Sequence, residues 1–192
     1  MSMTIALRGF ADPVHEAQET FRAVLDAMAR PGTLRDAGER LTPPAPLDQA
    51  TAAVLLALLD NETPLWIDPA AGAALDWIAF HCGATVAEAA HAAFAVALSM
   101  PDLASFPAGS HEVPEASATL ILQIASLGSG TRYRLFGPGL RGPAVLVADG
   151  LPVDFAVRWQ RNHALYPCGI DIVLCAGTQL AALPRSVSVE AI

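Results

Sequence analysis

The sequence predicts an α/β fold, a mixed β-sheet covered by helices. Three observations predict it. Segments with helical apolar spacing alternate with short strand-like runs along the chain. Several of those runs are apolar at every position, as strands buried on both faces are. A hairpin pattern over residues 118–136 adds antiparallel pairing, which makes the sheet mixed. No repeat or composition break divides the 192 residues, so 1–192 is read as one domain.

The elements follow in order. Asp12-Pro13 opens the first helix: Asp12 supplies a capping carboxylate, and Pro13 sits where no amide donor is needed. Val14, Ala17, Phe21, Val24, Leu25 and Met28 recur at helical spacing and predict one buried face. Pro31-Gly32 ends that helix, and residues 38–46, with Pro43, Pro44 and Pro46, form a connection. Leu47–Leu59 predicts a helix apolar on nearly all sides, hence buried between neighbours. Asp60–Thr63 breaks it, and Pro64–Ile67 predicts a short strand. Residues 70–82 read as helix through Leu75, Ile78 and Ala79, and Ala92–Leu98 as strand. Residues 101–117 read as loop. Thr119–Ala125 predicts a core strand, Gly128-Ser129-Gly130 a turn, and Thr131–Phe136 the returning arm. Ala144–Ala148 predicts a strand, Pro152–His163 a helix, Ile170–Cys175 a strand, and Val187 with Val189 a last one.

Composition narrows the function. The chain carries 11 basic and 19 acidic residues, a net charge of −8, and a mean hydropathy of +0.41. It is too apolar for a disordered chain. The acidic balance without a basic run argues against a nucleic-acid or anionic-membrane surface. All 11 basic residues are arginine. Without lysine, neither a pyridoxal-phosphate Schiff base nor a Walker A loop can operate in its usual form. Arginine leaves anion binding open, since its fork grips carboxylate or phosphate. Cys82, Cys168 and Cys175 form no CxxC pair and no zinc spacing, and read as reduced thiols of a cytoplasmic protein. Met1–Phe10 lacks the pattern of a secretory leader, and the apolar stretches at 52–59 and 92–98 are too short to span a membrane.

The motifs each admit a plain and a functional reading. Gly137-Pro138-Gly139-Leu140-Arg141-Gly142 matches GxGxxG by letter, but Pro138 and Pro143 remove amide donors and a strand follows. A turn between two strands is the favoured reading. Arg132 and Arg134 stand two apart on a strand and so share a face, with Arg141 nearby. Together they form either an anion site or a solvated strand face or subunit contact. Asp60 and Glu62 lie in a loop and serve either as ligands for nucleotide-bound Mg²⁺ or as partners of backbone amides. Asp171 opens an apolar strand, where its carboxylate requires amide or arginine partners. His111 and Glu115 fall in a loop, and the five histidines are scattered. No GxSxG elbow or metal-ligand cluster appears, and no catalytic residue is identified.

Seven segments, taken in order, resemble a known family. They are FRAVLDAMARPGTL (Phe21–Leu34), LALLDNETPLW (Leu56–Trp66), FHCGA (Phe80–Ala84), ATLILQIASL (Ala118–Leu127), LFGPGL (Leu135–Leu140), YPCGIDIVL (Tyr166–Leu174) and LPRSVSVE (Leu183–Glu190). Their order and spacing resemble the PhnH family of the bacterial carbon–phosphorus lyase system. The resemblance implies a three-layer α/β/α sandwich similar to the large domain of pyridoxal-phosphate transferases, without that cofactor. It implies a homodimer, or a place in a core complex with the PhnG, PhnI and PhnJ subunits. The activity it implies belongs to a transferase complex that makes α-D-ribose 1-alkylphosphonate 5-triphosphate from ATP and an alkylphosphonate, with release of adenine. ATP and Mg²⁺ would then bind at the level of the complex. A non-catalytic scaffold and a standalone small-molecule enzyme are the alternatives. The resemblance implies a later radical step on another subunit with an iron–sulfur cluster; Cys82, Cys168 and Cys175 lack cluster spacing, so this chain is not expected to hold that cluster.

Overall fold

The computed structural model describes residues 7–192; residues 1–6 of the segment read above for a leader lie outside them. In chain order the elements are α1 (Pro13–Ala29), β1 (Arg35–Asp36), α2 (Gln49–Leu58), β2 (Leu65–Ile67), α3 (Leu75–Cys82), β3 (Phe94–Ala97), β4 (Thr119–Gln123), β5 (Ser126–Phe136), β6 (Ala144–Asp149), α4 (Phe155–His163), β7 (Asp171–Ala176), β8 (Gln179–Leu183) and β9 (Ser188–Ala191). A six-stranded sheet has the order β1-β8-β7-β4-β3-β2. β2, β3, β4 and β7 are parallel neighbours, while β8 runs antiparallel to both β7 and β1. The sheet is therefore mixed. A separate three-stranded antiparallel sheet has the order β6-β5-β9.

Alternate residues of the large sheet face two cores. Val96, Ile121, Val173 and Cys175 join α1, α2 and α3 on one face. Ala97, Leu120, Leu122, Ile172 and Leu174 join α4 and the small sheet on the other. That period of two, apolar on both faces, is why these strands read as continuous apolar runs.

The hairpin expected over 118–136 is not formed. β4 lies between β3 and β7 in the large sheet, and β5 pairs with β6 and β9. Between them the chain changes sheets: Ile124 N–H still donates to Cys175 O (2.8 Å), and Ala125 N–H donates to Asp149 O (3.1 Å). The physical reason lies in the two patterns. Leu120, Ile121 and Leu122 are all buried, which suits a central strand, whereas β5 alternates and keeps one face wet. Gly128-Ser129-Gly130 makes an irregularity within β5, where the register shifts between Leu127 and Thr131. The antiparallel member of the large sheet is β8, whose Gln-Leu-Ala-Ala-Leu sequence carries no β-branched signal.

The first helix also buries a different face. Asp12 caps it by accepting from His15 N–H (3.3 Å). Glu16, Thr20, Val24 and Ala27 are the buried positions. Val14, Phe21 and Leu25 are 65%, 50% and 58% exposed. The buried face is rotated by about one residue step, ~100°, from the most apolar one. Small side chains at 20, 23 and 27 let α1 approach α2 and β8, and Glu16 is kept polar-satisfied by Asp12 N–H (3.0 Å) and Arg40 (3.6 Å). α2 is buried as its composition predicts, through Ala50–Leu55. Its entry is tied to β4: Gln123 Oε1 accepts from Asp48 N–H (2.8 Å), and Gln123 Nε2 donates to Pro46 O (2.9 Å).

Candidate functional site

The start of β7 is where four segments converge. Buried Asn162 of α4 donates from Nδ2 to Ile170 O (2.9 Å), and its Oδ1 accepts from Ile170 N–H (2.8 Å). This approach requires Gly169, which has φ +109°; a Cβ there would meet Asn162 O at 3.0 Å and Oδ1 at 3.1 Å. The next residue, Asp171, accepts from Arg185 through the backbone N–H (2.7 Å), Nε (3.1 and 3.2 Å) and Nη2 (2.5 Å). Arg185 Nη1 donates onward to Pro114 O (2.7 Å). The sequence required such partners for Asp171, and Arg185 supplies them. From α4, His163 Nδ1 donates to Arg185 O (2.8 Å) and Trp159 Nε1 to Val187 O (2.7 Å). The Tyr166–Leu174 and Leu183–Glu190 segments are thus joined into one hydrogen-bonded unit, whose chemistry is structural.

Beside this unit lies a cavity of about 470 Å³ between the 101–108 loop and α4. Leu103, Phe106, Leu165 and Ile170 supply its apolar wall, and Arg158, Arg161 and Asp102 its charges. Arg158 Nε donates to both carboxylate oxygens of Asp154, each at 2.9 Å. That contact holds the Asp154 carboxyl below the usual carboxylate range. Arg161 follows three residues later, on the same side of the helix. Among the described residues no carboxylate lies within 4.0 Å of its guanidinium. Asp102 turns Oδ1 into its own loop, accepting from Ala104 N–H (3.2 Å). In the sequence, Arg158 and Arg161 look like the polar face of a surface helix and give no sign of this cavity. Only the folding of the 101–108 loop against α4 makes them the rim of a cavity.

The residues singled out from sequence fall elsewhere. Arg132 and Arg134 share the exposed face of β5, opposite Val147 and Val145, with Glu190 of β9 also opposite Arg134. Arg141 is exposed in the turn joining β5 to β6. Gly137–Gly142 make that turn with no helix after it, and Gly139 (φ +83°) lies against the end of α1, where a Cβ would stand 2.3 Å from Ala29 O. Asp60 and Glu62 are exposed at the entry to β2, on the far edge of the large sheet from β8. Asp60 Oδ1 accepts from Glu62 N–H (2.9 Å), and Asp60 N–H donates to Thr63 Oγ1 (2.8 Å). These are the bonds of a polar turn. Among the described residues no three His, Cys, Asp or Glu side chains gather into a metal-holding group. The arginines and the acidic loop are not brought together, since β5 packs over β7 and β8 rather than β2. His111 and Glu115 are exposed.

The cysteines are free thiols, with Cys168 and Cys175 buried. Burial pushes the Cys82 and Cys175 thiols up to about 12, which keeps them protonated and poor nucleophiles. Among the described residues no helix is long and apolar enough to cross a membrane.

Comparison with known proteins places the chain in a family. The family model described as bacterial phosphonate metabolism protein (PhnH) matches residues 8–190. The alpha-D-ribose 1-methylphosphonate 5-triphosphate synthase subunit PhnH of Rhizobium meliloti (strain 1021) is 40% identical over 187 residues, covering 94% of each chain. HtxG of Stutzerimonas stutzeri, named as a C-P lyase subunit protein, is 30% identical over 175 residues, covering 90% of this chain and 85% of its own. Matched over nearly its whole length by the family and by both relatives, the chain belongs to the PhnH family of bacterial phosphonate-metabolism proteins.

Proposed function

We propose that the protein is a subunit of the transferase assembly that joins an alkylphosphonate to ATP in organophosphonate catabolism. The observation that carries this reading is the 40% identity, end to end, with a subunit of the ribose 1-methylphosphonate 5-triphosphate synthase. In the proposed reaction a phosphonate oxygen forms a bond to ribose C1′ as the C1′–N bond to adenine breaks. Adenine leaves with a proton, and the product is α-D-ribose 1-alkylphosphonate 5-triphosphate. The bond-making chemistry falls mainly to PhnI, and the protein acts with PhnG, PhnI and PhnJ. ATP and Mg²⁺ belong to the assembled complex.

Surface chemistry supports the subunit reading. Val14, Phe21 and Leu25 recur along the exposed side of α1 and form an apolar stripe suited to a protein partner or to a second copy in a homodimer. Arg132, Arg134 and Arg141 supply charge on a second surface, formed by the small sheet and its turn. A scaffold without ligand contact is the second reading, favoured by that apolar stripe. We also infer a three-layer relationship to the transferase large domain, with 1–192 as one domain in the cytoplasm. Helices on both faces of the large sheet and a single strand, β8, running against the others support the architecture. The lysine-free sequence accords with loss of the cofactor.

The test is co-expression with PhnG, PhnI and PhnJ, purification through a tag on this chain, and light scattering of the eluate. A stable assembly containing all four supports the proposal. Full synthase activity from the other subunits without this one overturns it.

A further inference from the structure

We propose that the cavity between the 101–108 loop and α4 binds a small organic oxyanion carrying an apolar substituent. Arg158 and Arg161 take the anionic head; Leu103, Phe106, Leu165 and Ile170 take the substituent. The cavity lies within one chain, so this site stands whether or not the protein assembles with others.

Size, charge and rigidity carry the argument. The volume of about 470 Å³ falls in the range of small-molecule sites, ~300–1,000 Å³, and far exceeds what a bare inorganic ion fills. The walls combine apolar side chains with a few charged groups, the usual composition of a site that selects both shape and charge. Asp154 engages only Nε of Arg158, and among the described residues the terminal nitrogens of that guanidinium make no hydrogen bond. With Arg161 one turn along, the α4 side of the cavity carries two guanidiniums, that of Arg158 engaged by Asp154, while the carboxylate of Asp102 stands on the loop side. Such forks match the oxygens of phosphonate, phosphate ester or carboxylate. Asp102 is more than 4.0 Å from either guanidinium, so the head group is directed to the α4 side, away from it. Asn162 spends its amide on Ile170 and acts as a positioning residue that fixes the wall.

The test is calorimetric titration of the full chain with phenylphosphonate, benzoate and inorganic phosphate. Phenylphosphonate is expected to bind at least about tenfold more tightly than phosphate, because only it fills the apolar wall. The benzoate arm distinguishes a tetrahedral from a planar head group, both within the proposed class. Arg161→Gln is expected to weaken phenylphosphonate about tenfold by removing a charge-assisted contact. Arg22→Gln, on exposed α1, should leave affinity unchanged. Asp102→Asn keeps the loop cap and removes a negative charge, so binding should tighten. Absence of phenylphosphonate binding at about 10 mM by the folded chain overturns the proposal. So does equal affinity for phosphate and phenylphosphonate, or an Arg161→Gln variant that binds as tightly as the parent. None of these results bears on co-purification with partner subunits, so failure of the site and failure of the subunit reading are separate outcomes.

Discussion

Asp171, the first residue of β7, receives the backbone N–H of Arg185 at 2.7 Å and its guanidinium Nη2 at 2.5 Å. The pair is mostly buried, with 20% and 15% of the two side chains exposed. Removing one partner strands a charge in a poorly solvated place. Asp171→Asn or Arg185→Ala should therefore cost about 2–3 kcal/mol, somewhat less than a fully buried pair because of the partial exposure. Urea unfolding measures this. The double variant should cost less than the sum of the two single ones.

Asn162 makes two hydrogen bonds to one residue, Ile170. Asn162→Leu keeps the size and leaves the Ile170 N–H and C=O without that partner. A loss of about 2–4 kcal/mol is expected, read as a lowered melting temperature. An unchanged melting temperature would mean that water or relaxed backbone replaces the amide.

The exposed stripe on α1 predicts a split between stability and association. Phe21→Glu and Leu25→Glu should change the isolated chain's stability by no more than about 0.5–1 kcal/mol, since both side chains already meet water. The same variants should reduce recovery of a partner or of the homodimer, as seen by light scattering. Unaltered assembly would remove α1 from the interface.

Arg132, Arg134 and Arg141 are exposed. Alanine at each should leave thermal stability within about 0.5 kcal/mol. Phosphonate-dependent growth or complex assembly should weaken for at least one of them. Unchanged growth and assembly for all three would reduce them to solvated surface charges.

Alkaline pH should destabilise the fold. The folded-state pKa values of Cys82 and Cys175 rise from 9.0 to about 12, and burial also raises Tyr133. The folded chain then holds protons that the unfolded chain releases. This contribution is complete below about pH 9 and is lost as pH rises toward 12. Melting temperatures on either side of that window measure it, and Cys175→Ala should flatten the decline. In the native protein at about pH 8, a thiol reagent should label neither Cys82 nor Cys175 appreciably.

The chemistry of single residues was legible in the sequence where it is local. Asp12-Pro13 announces the start of α1, Pro31-Gly32 its end, and the all-apolar run of α2 its burial, because caps and periodicity act within a few residues. The need of Asp171 for a partner was equally plain, since a carboxylate opening an apolar strand must be compensated. Which residue compensates it was not plain: Arg185 lies 14 residues away, across β7 and β8. Long-range pairing decided the rest. β4 and β5 are adjacent in sequence yet belong to different sheets, because burial on both faces favours a central parallel strand over a hairpin. α1 buries Thr20 and Ala27 rather than Phe21 and Leu25, because close approach to α2 and β8 selects small side chains over large ones. Arg158 and Arg161 become the rim of a cavity only once the 101–108 loop crosses to meet α4. Composition and spacing determine what each segment can bury and which charges must be compensated. The tertiary structure alone decides which segments meet, because that choice rests on packing between residues far apart in the chain.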